Sequence, residues 1–142
     1  MTEDAQFLTK THQIKIFNCE QVIIEADRDK LGQVMTNLLS NAIKYSPKGG
    51  QIVIGCQKQD GRLKISVSDQ GIGIAGQDHK KLFERFYRVS NDSSRSASGF
   101  GIGLYLSAEY LRLHDSQFHL LSELGKGSTF YFYLDEKSVL SQ

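Results

Sequence analysis

The residues best suited to chemistry sit in a few short stretches. Asp69-Gln70-Gly71-Ile72-Gly73-Ile74 sets a carboxylate just ahead of two glycines. Leu63, Ile65 and Val67 precede it, alternating with Lys64, Ser66 and Ser68, the period-two pattern of a half-buried strand. Asp69 shares the parity of the apolar residues, so it is expected to point inward where the strand ends. An inward carboxylate is costly unless something donates hydrogen bonds to it. Glycines let the backbone turn tightly and let another molecule come close. The stretch proposes an acceptor on the floor of a cavity, beside a bare backbone wall. Read alone, Asp-x-Gly is more simply a turn leaving a strand.

A second set lies on one helix. At about 100° per residue, Leu31, Met35, Leu38 and Ala42 fall within an arc of roughly 60°, while Asn37, Asn41 and Lys44 form another arc turned away by about 120°. One stripe faces a core; the other carries two carboxamides and an ammonium. An amide oxygen is a hard ligand suited to Mg²⁺, and a lysine is a point charge suited to phosphate. Tyr45 lies between the stripes, where its ring could cover a flat ligand. A plain solvated face is the simpler reading of this stripe by itself. Gly99-Phe100-Gly101-Ile102-Gly103-Leu104 sits at a loop-to-helix junction, where unpaired N–H groups and the helix dipole favour an anion. It lacks the Gly-Lys-Ser/Thr ending of a Walker A motif, and its spacing is not that of a dinucleotide loop. Following the polar stretch Ser90 to Ser98, it reads as a lid over phosphates. Arg88, at the end of Phe83-Glu84-Arg85-Phe86-Tyr87-Arg88, could reach a terminal phosphate; an exposed surface arginine is an equally simple reading of it alone. The Gly125-Lys126-Gly127 run joins two strands and reads as a hairpin turn. His12, His79, His114 and His119 have no metal-ligand spacing and read as structural or surface residues.

These groups need a scaffold. Ile14 and Ile16, then Val22 to Ile24, read as two short strands around a turn. Asp27 caps a helix running to about Tyr45, which stops before Pro47 and Gly49-Gly50. Ile52 to Cys56 and Leu63 to Asp69 form a hairpin about Asp60-Gly61. A helix is expected from about Asp78 to Phe86, and another from the second glycine cluster to about Leu113. Gln117 to Ser122 and Thr129 to Leu134 form a last hairpin, and the tail from Glu136 is expected to be disordered. The sum is an α/β two-layer sandwich: a mixed, largely antiparallel sheet with about three helices on one face. The other face should be polar and wet.

The 142 residues fit one domain, residues 1–142 with a core of about 12–135. A net charge of +1 gives no field that argues for nucleic acid or an acidic membrane. The 2 cysteines, Cys19 and Cys56, show no CxxC spacing, which points away from a zinc site or disulfide framework and toward a reducing compartment. No apolar run approaches the ~20 residues needed to span a bilayer, and the acidic start Met1-Thr2-Glu3-Asp4 is not a signal peptide.

In order along the chain, these stretches resemble the catalytic, ATP-binding domain of the sensor histidine kinases of two-component systems. Asn37 to Tyr45 is similar to the family's asparagine box and Asp69 to Ile74 to its first glycine box. Phe83 to Arg88 is similar to its phenylalanine box, and Gly99 to Leu104 to its second glycine box. Gly127-Ser128-Thr129-Phe130 is similar to a small turn near the family's end. The resemblance runs from about Ile14 to Leu134 and implies the Bergerat fold, also used by gyrase, mismatch-repair and chaperone ATPases; the phenylalanine box favours the kinase branch. It implies ATP and Mg²⁺ as cofactors. Asp69 would accept from the adenine amino group, Asn41 would hold Mg²⁺, and Asn37 would lie near metal and phosphates. Lys44 and Arg88 would contact phosphate oxygens, making Asn41, Lys44 and Arg88 the catalytic set. Tyr45 would lie against adenine and Tyr87 near the phosphates. Gly71, Gly73, Ile74, Ile102, Leu104 and Thr129 would complete the pocket, and Gly99, Gly101 and Gly103 would hinge the lid.

The family commonly has His-Gly-Gly where this chain has His114-Asp115-Ser116. The family's phosphoacceptor histidine sits on a dimeric helical hairpin N-terminal to this domain, and none of the four histidines here has that context. The chain therefore resembles one cytoplasmic domain of a longer kinase, of a kind often anchored in the inner membrane. Its implied partners are ATP, that dimerisation and phosphoacceptor hairpin and, indirectly, a response regulator, with neither nucleic acid nor membrane contacted by this domain. A nucleotide-binding or interaction module without kinase activity is the alternative, as is an anti-sigma-type serine kinase.

Overall fold

A computed structural model describes residues 12–17, 26–84 and 103–136. Within them, five strands form one sheet: β1 (His12–Phe17), β2 (Gly50–Gln59), β3 (Arg62–Asp69), β4 (His119–Ser122) and β5 (Ser128–Asp135), in the order β1-β2-β3-β5-β4. β1 runs parallel to β2, and every other pair is antiparallel. Three helices accompany the sheet: α1 (Arg28–Lys44), α2 (Gly76–His79) and α3 (Gly103–Arg112). The expected two-layer α/β arrangement, mixed and largely antiparallel, is the one observed.

Each element follows from local chemistry. The Asp27 side chain accepts from the N–H groups of Asp29 and Lys30 at 2.9 and 3.0 Å, a cap worth about 1 kcal/mol. α1 then buries Val34, Met35, Leu38, Leu39 and Ala42. The β2–β3 turn at Asp60-Gly61 has positive φ at both residues, the type I′ geometry whose twist suits a two-residue hairpin. In β3 and β5 burial alternates strictly, with Leu63, Ile65 and Val67 beside Phe130, Phe132 and Leu134. These and the buried face of α1 make up the core, together with Ile14, Ile52, Ile54 and Leu111.

Some expectations shift. Of the helix expected over Asp78 to Phe86, the described residues show only Gly76–His79; from there to Glu84 the chain continues in turns, with Leu82 N–H bonded to the Asp78 carbonyl and Glu84 N–H to that of Lys81. Ala75 supplies no side-chain cap, and a single turn fixes several dihedrals for few bonds. The expected strand at 22–24, the loop at 90–98 and the tail beyond 136 lie outside the described residues. The open face of the sheet is more aromatic than expected. Tyr131 and Tyr133 lie there with His119, whose ring stacks on Tyr131 at 4.9 Å. Arg62 covers Tyr133 and Lys64 covers Tyr131, at 4.1 and 4.5 Å from the ring centres.

The His114-Asp115-Ser116 turn closes α3. Ser116 N–H reaches back to the Leu111 carbonyl and Asp115 N–H to that of Arg112, and Asp115 has φ 54°. That is a Schellman ending, with an aspartate in the left-handed conformation glycine adopts most easily.

Candidate functional site

Asp69 ends β3 on the helix-facing side, 7% exposed. Its carboxylate accepts from Gly71 N–H at 2.9 Å and from the backbone N–H of Ser128. Burial pushes the carboxyl above the ordinary carboxylate range, opposed by those two N–H groups and by nearby His12. The protein thus spends two donors on keeping a charge-capable group at the end of a sheet, where an apolar residue would pack without them.

The loop after Asp69 is held from two sides. Ile72 N–H bonds to the Tyr45 carbonyl at 2.8 Å, joining the loop to the end of α1. A Cβ at residue 71 would overlap that same carbonyl, so only glycine lets the loop lie so close. On the other side Gly125 N–H bonds to the Ile72 carbonyl at 2.8 Å, and Ile74 N–H to Ser122 Oγ at 2.7 Å. At Gly127 (φ 84°) a Cβ would overlap the Asp69 carbonyl oxygen. The Gly125-Lys126-Gly127 turn is therefore a hairpin turn, as read from sequence, and also one wall of the Asp69 loop.

Behind the loop, His12 is 6% exposed and its Nε2 donates to the Ser46 carbonyl at 2.6 Å. Ser46 Oγ in turn donates to the Ala42 carbonyl at 2.5 Å. These bonds fix the chain where α1 ends and Tyr45 begins. His79, His114 and His119 also have protein contacts: His79 Nε2 with the Ile74 carbonyl, His114 with the Tyr110 ring, and His119 with Tyr131.

The polar stripe of α1 divides in two. Asn37 turns to α3, donating to the Gly103 carbonyl at 3.0 Å and to Ser107 Oγ at 2.8 Å. It thereby fixes the start of α3 against α1. One turn later, Asn41 Nδ2 is buried without a hydrogen-bond partner among the described residues. Such an unpaired donor costs about 1–3 kcal/mol, and it is the kind of group a bound anionic ligand satisfies. Lys44 is half-buried, its Nζ 5.6 Å from the centre of the Tyr45 ring. Tyr45 itself is 3% exposed and part of the core.

Asp69, Gly71, Gly73, Ile74 and Tyr45 are thus brought together at one end of the sheet. Asn37 and Gly103 meet where α1 crosses α3, with Leu104 buried at the same helix start. Thr129 projects to the open face, where its hydroxyl meets Ser68 Oγ at 2.9 Å. Its neighbour Ser128 faces Asp69 instead. Tyr87, Arg88, Gly99, Gly101 and Ile102 lie outside the described residues. Ser128, Ser122, Ser46 and His12 are site residues that sequence reasoning missed. For Ser128 a signal existed, since it has the parity of Phe130, Phe132 and Leu134. Ser122 and His12 join the site only through strand pairing.

Fold and site together define a two-layer sandwich with a buried carboxylate at the sheet's end, a glycine loop and an amide-bearing helix, the arrangement of a nucleotide-binding domain. Residues 26–138 match the family described as histidine kinase-, DNA gyrase B-, and HSP90-like ATPase, and the chain belongs to that family. Sensor histidine kinase WalK of Bacillus subtilis (strain 168) is 42% identical over 116 residues, covering 80% of this chain and 19% of the relative. Sensor-like histidine kinase SenX3 of Mycolicibacterium smegmatis is 41% identical over 110 residues, 78% of this chain and 29% of that one. Among solved structures, the mycobacterial sensor histidine kinase MprB superposes with a TM-score of 0.85 at 25% identity, covering 96% of this chain and 91% of that chain. The chain spans less than a third of the length of these curated relatives. It corresponds to the ATP-binding catalytic domain of a histidine kinase. No helix among the described residues is long and apolar enough to cross a membrane.

Proposed function

We propose that this domain binds Mg-ATP and presents the γ-phosphate to a histidine on a separate helical hairpin of a longer kinase, which then passes it to a response regulator. The observation that carries this reading is the buried carboxylate of Asp69, kept at the sheet's end by two N–H donors and walled by glycine backbone. A carboxylate so placed accepts from an exocyclic amino group, as adenine offers. Gly71, Gly73 and Ile74 form the wall beside the base, and Tyr45 supports it. Ser128 is the hydroxyl that faces the base, in the place expected of Thr129.

The α1 stripe suits the charged end of the nucleotide. Asn41 fits Mg²⁺ and phosphate together: its amide oxygen is a hard ligand, and its unpartnered Nδ2 is a donor for a phosphate oxygen. When bound, the metal neutralises phosphate charge. Asn37 holds the start of α3 at the proper distance, and Lys44 supplies a fixed positive charge. The contribution of these side chains is orientation and charge compensation rather than covalent chemistry. Tyr87, Arg88, Gly99, Gly101, Ile102, Gly103 and Leu104 complete the phosphate end in this proposal, which places the domain on the cytoplasmic side of its parent.

The direct test supplies the acceptor hairpin of the parent kinase in trans with γ-labelled ATP. Acid-labile label on the hairpin histidine is the expected result; acid-stable phosphoserine on a partner would overturn it. Asn41→Ala is expected to remove the Mg²⁺ dependence of nucleotide binding in calorimetry, and an unchanged dependence rejects the metal assignment.

A further inference from the structure

The loop after Asp69 has an isoleucine on either side of Gly73, and each has its N–H and its carbonyl tied. Ile72 is tied by backbone: its N–H donates to the Tyr45 carbonyl and its carbonyl accepts from Gly125 N–H, both at 2.8 Å. Ile74 is tied by side chains. Its N–H donates to Ser122 Oγ at 2.7 Å, and its carbonyl meets His79 Nε2 at 2.9 Å. A carbonyl can only accept, so Nε2 carries the proton in that bond.

The two side chains come from separate elements: Ser122 ends β4, and His79 ends α2. Ile74 between them is 1% exposed, so its backbone groups depend on protein partners rather than on water. The Ser122 oxygen is itself fixed from behind. Ser128 Oγ lies at 2.7 Å and the Gly127 carbonyl at 3.2 Å; whichever of them takes the Ser122 proton, a lone pair remains for Ile74. The turn beyond Ser122 lies flush on the loop, since a Cβ at Gly73 would overlap the Glu123 carbonyl. A backbone tie survives a change of side chain at either end, whereas a side-chain tie does not. The exit of the loop is therefore the part whose place depends on the identity of two residues.

We infer that Ser122 and His79 are positioning residues of the nucleotide pocket: they hold the peptide groups on both sides of Ile74 and so set the wall against which the base lies. They act through Ile74 rather than by contact with the nucleotide, as supporting hydrogen bonds do behind a preorganised site. The α1 stripe with Asn41 is positioned by its own helix, so the phosphate end does not depend on them. The inference rests on the nucleotide reading above and deepens it.

The test is calorimetric titration, with Mg²⁺ present, of ADP and of tripolyphosphate, which has a charged tail and no base. Ser122→Ala and His79→Ala are each expected to weaken ADP about tenfold, the worth of one hydrogen bond, and to leave tripolyphosphate unchanged. Ser122→Thr keeps the hydroxyl and His79→Gln keeps an N–H at similar reach; both are expected to keep the ADP affinity. Equal loss of both ligands is what mere loosening of the fold produces, and it overturns the inference. So do alanine variants that bind ADP normally, or conservative variants that lose as much as alanine. Amide hydrogen exchange gives a reading that needs no ligand: Ile74 N–H is expected to exchange slowly in the intact chain and at least tenfold faster in Ser122→Ala. If Ser122→Ala does not fold by circular dichroism, the two His79 variants carry the affinity test, and fast exchange of Ile74 N–H in the intact chain still overturns the inference. Failure of the nucleotide reading looks different: the intact chain then binds no ADP, and the inference falls with it even where Ile74 N–H is protected.

Discussion

The same three strands carry two unlike rows on their two faces. On the helix-facing side, Asp69, Ser128 and Ser122 are short and polar: the two serine hydroxyls bond to each other, Asp69 accepts from the backbone N–H groups of Ser128 and Gly71, and Ser122 accepts from that of Ile74. On the open side, Ser66, Tyr131 and His119 occupy consecutive paired positions, with Tyr133 beside them and the cations of Lys64 and Arg62 lying over the rings. Water reaches the open side, so large rings there need only partial cover, which lysine and arginine stems supply. Water is excluded from the buried side, so every polar atom there needs a partner from the protein or a ligand. Short side chains suit that end because they leave room for a ligand while long ones would fill it. Placement relative to solvent, more than residue type, separates the proposed binding row from a covering row.

Neighbours on the two faces should break very differently. Phe132 is fully buried and makes an edge contact with Phe118 at 5.8 Å; Phe132→Ala is expected to cost about 3–5 kcal/mol of stability. Tyr131→Ala, one residue away on the open side, is expected to cost about 0.5–1.5 kcal/mol, both read from urea unfolding midpoints. Comparable losses would erase the distinction between the faces.

Asp69→Asn sharpens the comparison at the site. Nucleotide affinity is expected to drop about 10- to 100-fold, the range for a hydrogen bond to a charged group, while the fold is retained. The same variant tests the pH behaviour. Because burial raises the Asp69 pKa in the folded chain, the folded state holds this proton more tightly than the unfolded state does. Its stabilising contribution is complete below the unfolded pKa and is lost as pH rises through the folded pKa. The intact chain should therefore lose more stability than Asp69→Asn when pH is raised through that window. Nucleotide affinity should run the other way, weakening as pH falls through the folded pKa, since the ionised carboxylate is the better acceptor. An unchanged affinity in calorimetry removes Asp69 from the site.

The smallest effect is at the end of α3. Asp115→Gly relieves a left-handed φ of 54° and is expected to stabilise by about 0.5–1 kcal/mol, with nucleotide affinity unchanged. A loss of stability would show that the aspartate side chain, rather than the backbone conformation, holds that turn.

Much of this was legible in the chain itself. Alternation over Leu63 to Asp69 placed the carboxylate inward, because strand side chains have a strict period of two. The helical arcs separated the core stripe of α1 from Asn37, Asn41 and Lys44, because the period of 3.6 is just as rigid. Caps, turns and box order followed from local residue chemistry and family resemblance. Tertiary structure alone decided which of those polar residues share a neighbourhood. It turned Asn37 toward α3, left Asn41 Nδ2 without a partner among the described residues, and brought Ser122 and His12 to the Asp69 end. It also showed that a hairpin turn at Gly125-Lys126-Gly127 doubles as a wall of the site. The reason is physical: periodicity is set by bonds between neighbours along the chain, whereas strand order and register are set by the joint burial of segments far apart in it.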